Sequence, residues 1–325
     1  MPGPGVEHLE HRERRAHSGV MSTWPDYDFR IGIDLGGTKT EIAALSRDGR
    51  LLHRHRVPTP HLYEDSVRGM AGMIREIEQK MGGVGSVGFG IPGVISPVTG
   101  LVKNANTIAL NGHPFDRDIA ALLGREVKVE NDANCFALSE AADGAGAGMG
   151  VVFGVILGTG CGGGIVVDGR VIRGRNHVTG EWGHTPLPWP TAEELPRIKC
   201  WCGHYNCLET LISGPGLARD CDGPDARDGH AVAERAASGE ARAQAALDRH
   251  ADRLARGLAV VVNILDPDVI VLGGGLSNLA HLYEVVPGLM APHVFSDFVH
   301  TPVVKNMHGD SSGVRGAAWL WPAPV

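Results

Sequence analysis

The sequence predicts an α/β protein of two lobes with a ligand held between them. Three observations carry this. Apolar strands alternate with helical periodicities along the chain, which argues against all-α and all-β classes. A unit of strand, Gly-rich loop, strand, Asx-Gly turn and strand occurs twice, at residues 30–57 and 151–173. No long Pro/Ser-rich linker separates the two units, so the chain is expected to cross between lobes in ordered segments. With 325 residues, 43% of them hydrophobic, there is material for a large core and more than one domain.

The elements follow in order. Residues 1–29 include the polar stretch HLEHRERRAH and are expected to form a disordered tail, within which Met21 is a candidate start. From Phe29, RIGIDLG is an apolar strand that breaks at Gly36-Gly37. TKTEIAALS resumes as a strand, and Asp48-Gly49 turns it into LLHRHRV, giving three consecutive antiparallel strands. Val67, Met70, Met73, Ile74 and Ile77 give residues 64–80 helical spacing. SVGFGIPG is a buried strand ending at Pro92-Gly93, and REVKVEND is another that runs into the helix ANCFALSEAADGA. VVFGVILGTG and GGGIVVDGR repeat the opening strand pair. Helices are expected at about 208–219 and 240–264, then the buried strand DVIVLGGGL and a closing helix, SGVRGAAWLW.

Composition narrows the function classes. A net charge of −7 argues against a protein that mainly binds nucleic acid. The uncharged stretch from Gly150 to Val167 holds seven glycines and reads as two strands joined by a loop, not as a membrane span. There is no signal-peptide apolar core, and six cysteines without an export signal point to a reducing cytoplasm. There, a tight cysteine cluster binds metal more often than it forms disulfides. Cys135 and Cys161, alone in apolar or Gly-rich settings, read as small buried hydrophobes.

Three Gly-rich loops carry the first chemistry. In DLGGTKT, Gly36 and Gly37 leave backbone N–H groups bare, Thr38 adds a hydroxyl and Lys39 a charge, which together suit phosphate oxygens. The spacing is not that of a Walker A loop. LGTGCGGG, with Gly158, Thr159, Gly160 and Gly162, is a second such loop, and Gly273-Gly274-Gly275 after a buried strand is a third. Each alone is compatible with an ordinary turn; three together favour a nucleotide clamped between lobes. Asp132, where a strand meets a helix, fits either an N-cap or a general base.

CWCGHYNC places Cys200, Cys202 and Cys207 within eight residues, and GEWGH upstream supplies His184. Three cysteines and a histidine make a closed tetrahedral zinc site with no open position, which means a structural metal. It would join two segments that each carry a glutamate: Glu181, three residues before His184, and Glu209, two after Cys207. Pinned carboxylates suit sugar hydroxyls, although Glu209 also fits the first turn of a surface helix.

Taken together, IDLGGTKTE, KNAN, LNGHPFD, NDANCFALSE, GTGCGGG, TGEWGH, CWCGHYNCLET, ISGPG, NILDPDVIVLGGGLSN and GDSSGVRGAAWL resemble the ROK family of bacterial sugar kinases and related repressors over about residues 30–322. GEWGHTPLPW and HGDSSGVRGAAWLWP look most like the fructokinases, or mannofructokinases, of that family. The resemblance implies an actin-like ATPase fold of two RNase H-like lobes. Residues 30–133 plus 305–325 would form the small lobe, and residues 134–304 the large lobe with the zinc-binding loop. It also implies Mg2+- and ATP-dependent phosphorylation of a hexose, fructose or mannose, at its 6-hydroxyl, with N-acetylglucosamine or glucose as the alternative. By motif, Asp132 is the general base. Asn106, Asn131, Glu181, His184 and Glu209 contact the sugar. Gly36–Lys39 and Gly158–Gly162 embrace the phosphates, Gly273–Gly275 lie near adenosine, and Asp34 places Mg2+ through water. Many relatives are dimers, so a homodimer is expected. One departure stands out: Asn206 replaces the Gly usual before the third cysteine, and Asn tolerates the left-handed geometry needed there.

Two rivals carry different expectations. A repressor of this family has a helix-turn-helix module ahead of the core, and 29 residues are too few for one. A silent sugar sensor would not need Asp132 together with both phosphate loops.

Overall fold

A computed structural model describes residues 27–105, 107–194 and 198–321 of the chain. Residues 1–26 of the expected tail lie outside these, as does Asn106, one of the expected sugar contacts.

The first sheet opens as the meander β1 (Phe29–Leu35), β2 (Lys39–Leu45) and β3 (Leu51–Pro58), all antiparallel. β1 and β2 are buried almost throughout, whereas β3 is an edge strand whose His53, Arg54, His55 and Arg56 discourage pairing with another chain. Helix α1 (Tyr63–Met81) buries Val67, Met70, Ile74 and Ile77 along one face and stops at Gly82, left-handed at φ 70°. Strand β4 (Gly85–Ile91) returns parallel to β1. A short hairpin, β5 (Val94–Ile95) with β6 (Val102–Lys103), precedes helix α2 (Phe115–Leu123), and β7 (Lys128–Asn131) then joins β4 in parallel. The strand order is β3-β2-β1-β4-β7.

Helix α3 (Asp132–Asp143) leads to the second sheet, where β8 (Val151–Leu157), β9 (Cys161–Val167) and β10 (Arg170–Val171) repeat the antiparallel opening. Helices α4 (Glu209–Ile212), α5 (Gly214–Asp222), α6 (Gly229–Ala237) and α7 (Ala241–Leu265) follow, then β11 (Val269–Gly273), α8 (His281–Met290), β12 (Val303–Lys305) and α9 (Ser312–Trp319). The order β10-β9-β8-β11-β12 matches the first sheet strand for strand: three antiparallel, then two parallel to the first. The duplication read at 30–57 and 151–173 is therefore the visible half of a duplicated five-stranded unit. Each sheet carries its own apolar core. A third cluster joins Phe136 and Leu138 of α3 to Val152, Val269 and Val271.

Two details differ from the expected elements. The helix expected at 208–219 is broken into α4 and α5 at Ser213, whose side chain caps α5 by accepting from Gly216 N, with Pro215 just inside. Helices α2, α6 and α8 were not expected at all. Among the described residues, no helix is long and apolar enough to cross a membrane.

Helix α9 packs on α3, β1 and β4, and glycines make that approach possible. A Cβ on Gly316 would stand 1.6 Å from the Cys135 carbonyl oxygen, and one on Gly88 would stand 1.9 Å from that of Ala317. Gly69, on α1, has nothing within 4 Å of such a Cβ. Gly316→Ala is expected to destabilise by at least the roughly 1–3 kcal/mol of an overpacked core. Gly69→Ala should stabilise by about 0.5–1 kcal/mol. Denaturation midpoints of the two variants check both, and equal midpoints would contradict the packing described.

Candidate active site

The carboxyl ends of the β8–β9 turn and the start of α3 open onto a cleft of about 610 Å³. It is lined by Asn104, Asn131 and Asp132, by the turn Gly158–Gly163, and by Glu181, His184, Trp201, His204 and Glu209.

Asn131 is the N-cap of α3: its Oδ1 accepts from Ala133 N and Asn134 N, and its Nδ2 donates to Gly93 O at 3.3 Å. Asp132 is thus the first residue inside the helix, not the cap. Its Oδ1 accepts from Ala133 N at 2.8 Å. Burial lifts its carboxyl to about 6; Ala133 N–H works against this and the charge of Glu181 adds to it. Asp34, at the end of β1, is lifted further, to about 7, by burial first and then by the charges of Asp132 and Glu41. Glu181 thus raises Asp132, and Asp132 raises Asp34, a clustering of repelling carboxylates that catalytic sites share with some structural networks.

The glycine loops do not behave alike. Gly158 N donates to Gly160 O, and Gly158 O accepts from Gly214 N, so the β8–β9 turn is braced from both sides and lines the cleft. Gly36 N donates to Lys39 O, and Gly37, Thr38 and Lys39 are exposed at the tip of the β1–β2 turn, outside the lining of this cavity. Gly273–Gly275 are also outside it. Packing explains two of them: a Cβ on Gly273 would lie 2.3 Å from the Phe136 ring, and one on Gly274 would lie 2.5 Å from Leu157 O.

His184, Cys200, Cys202 and Cys207 come together, with their ligand atoms all within 4.8 Å of one another. His184 Nδ1 lies 3.6 Å from Cys200 Sγ, and Cys202 Sγ lies 3.6 Å from Cys207 Sγ. A tetrahedral zinc with Zn–S bonds of about 2.3 Å has edges of about 3.8 Å, so donor set and spacing fit that ion. Nε2 of His184 faces the other way, 4.0 Å from Glu181 Oε2. The loop is held without the ion too: Leu208 N donates to Thr185 O, Leu187 N to Asn206 O, and Arg256 donates to the carbonyls of Pro188 and Trp189. Asn206 is left-handed at φ 57°, as expected, and its Oδ1 accepts from Ile198 N at 2.8 Å, a bond Gly could not make.

Glu209 ties this loop to the glycine turn. Its Oε2 accepts from Cys161 N at 3.0 Å and its Oε1 from Trp201 Nε1 at 2.8 Å. Trp201, 66% exposed, sits edge-on to His184 at the mouth of the cleft. Sequence reasoning singled out neither Trp201 nor His204 as site residues; their place inside the cysteine cluster was the available clue. Asn104 was also missed. It is left-handed at φ 59°, a conformation that no motif announces for a non-glycine residue.

The family model described as "ROK family" matches residues 30–323. An N-acetyl-D-glucosamine kinase from Yersinia enterocolitica is 39% identical over 296 residues, spanning 89% of this chain and 98% of that protein. Among solved structures, a ROK hexokinase from Thermus thermophilus superposes with a TM-score of 0.80 at 31% identity, covering 90% of this chain and 97% of that one. A ROK family glucokinase from Streptomyces griseus, in complex with glucose and AMPPNP, gives 0.73 at 29%, covering 90% and 99%. The expectation of fructose finds no support in these names; the sugars they print are N-acetyl-D-glucosamine and glucose.

Proposed function

The chain belongs to the ROK family, with its actin-like ATPase fold, and is an ATP-dependent sugar kinase; from that premise we propose that its preferred acceptor is N-acetylglucosamine, phosphorylated at the 6-hydroxyl. The relative named for that sugar carries this reading, because the similarity runs along 98% of its length.

Asp132 takes the proton of the hydroxyl as it attacks the γ-phosphate. Its carboxyl, lifted to about 6 by burial, is ionised at neutral pH yet more basic than an exposed one, which suits a general base. Glu181, His184 and Glu209, with Asn131 and Asn106, hold the remaining hydroxyls. Nε2 of His184 points toward Glu181, away from the thiols, so one imidazole can serve both shells. Backbone N–H groups of Gly158–Gly162 and of Gly36–Lys39 surround the phosphates once the lobes close, and Gly273–Gly275 lie under the adenosine. Mg2+ brought in with ATP would neutralise the phosphate oxygens, with Asp34 holding it through water. Zinc on His184, Cys200, Cys202 and Cys207 would fasten the loop that bears Trp201 and Glu209. A homodimer that takes a sugar and ATP, with no nucleic-acid partner, completes the reading.

A coupled assay with N-acetylglucosamine, N-acetylmannosamine, glucose, mannose and fructose tests the substrate. N-acetylglucosamine is expected to lead in kcat/KM by about tenfold or more. A higher value for fructose or glucose would overturn the assignment and leave the kinase assignment standing.

A further inference from the structure

Beyond Val94, Asn131 and Glu181, which line both spaces, a second cavity of about 300 Å³ adjoins the cleft. Val94 and Ile95 of the β5–β6 hairpin and Val129 of the edge strand β7 supply apolar lining, beside the charged Lys128, Glu130 and Arg173. Asn134, one turn into α3, lines it as well and is only 6% exposed. Its Nδ2 donates to Glu130 Oε1 at 3.0 Å. Glu130 also accepts from Arg173, so it meets the Asn134 amide as an acceptor, and the end of the amide that faces it is the nitrogen. Asn134 Oδ1 is then left buried with no partner. Buried amide oxygens are almost always bonded, so one without a donor calls for a ligand or a water.

We infer that this cavity is the subsite for the 2-acylamino substituent of the sugar. Asn134 Oδ1 accepts the amide N–H, while Val94, Ile95 and Val129 receive the acyl chain. The inference rests on the N-acetylglucosamine reading above and extends it. Pockets of about 300 Å³ and upward hold whole drug-sized ligands, so an acetyl group leaves room, and longer N-acyl chains are substrates too.

The test compares kcat and KM for glucose and for N-acetyl-, N-propanoyl- and N-butanoylglucosamine in the wild type, Asn134→Leu and Val129→Phe. Asn134→Leu is expected to reduce the preference for N-acetylglucosamine over glucose by about tenfold or more, chiefly through KM. Val129→Phe should penalise the butanoyl sugar more than the acetyl one. If Asn134→Leu does not fold, the acyl series on Val129→Phe decides alone. A wild type without preference for N-acetylglucosamine sinks both the substrate reading and the subsite. A wild-type preference that survives both substitutions overturns the subsite only, and means that Asn134 merely braces Glu130 while water fills the cavity.

Discussion

Asp132→Asn is expected to lower kcat by about 10²–10⁴-fold while sugar affinity changes far less. The substitution keeps the shape of the side chain and the acceptor that meets Ala133 N, so the start of α3 stays as it is. Only the basic oxygen is lost. The pH profile supplies an independent check. Because burial raises the Asp132 carboxyl to about 6, protonation removes the base as pH falls through that value. A shallower limb near pH 7 belongs to Asp34, so the wild-type kcat/KM should be level only above that value and steepen by about a further tenfold per unit below pH 6, the limb that belongs to Asp132. The variant's residual rate should lack that limb. Turnover near the wild-type value, or a limb below pH 6 that persists in the variant, would remove Asp132 from the role of base.

Much of this site is legible in the sequence, for a physical reason. β1, β4, β8 and β11 are buried apolar strands that end in glycines, and both signals are local. The cysteine cluster is local as well, and only His184 had to be drawn from further away. What was missed depends on partners remote in sequence. The orphaned oxygen of Asn134 exists because Glu130 occupies the other end of that amide, and Glu130 is itself held by Arg173, 43 residues on. Gly273 and Gly274 looked like ligand-facing glycines because the Phe136 ring and the Leu157 carbonyl that crowd them come from other elements. Helix α2 escaped notice because it buries only Phe115 and Ile119, too few for a periodic stripe. Helix α8 carries Pro287 in its interior, which reads as a break. The sequence left Asp132 open between cap and base; Asn131 and Asp132 are equally good caps, and in the fold Asn131 takes that place.

The second large effect is expected from the cysteine cluster. Purified protein should contain one zinc per chain. Cys202→Ser, or exhaustive chelation of the wild type, should lower kcat/KM for the sugar by about 10²-fold, the loss that accompanies a displacement of about 1 Å in a positioned group. The reason is the chain of contacts leading away from the four ligands. Cys200 and Cys202 flank Trp201, whose indole N–H holds Glu209 Oε1, and Glu209 Oε2 holds Cys161 N at the glycine turn. His184 carries the side of the imidazole that faces Glu181. Without the ion, three thiols and an imidazole lose their common centre, and Trp201, Glu209 and His184 shift together. The surrounding hydrogen bonds, from Leu208 N to Thr185 O and from Arg256 to Pro188 O, are independent of the ion, so the large lobe should remain folded. The KM for ATP should consequently rise less than that for the sugar: Gly36–Lys39 lie on the other sheet, and the Gly158–Gly162 turn, though it loses the grip of Glu209 on Cys161 N, keeps its brace from Gly214 N to Gly158 O. Equal losses for sugar and ATP would indicate general unfolding instead. Metal-free protein with full sugar turnover would show that these four residues hold the pocket by themselves.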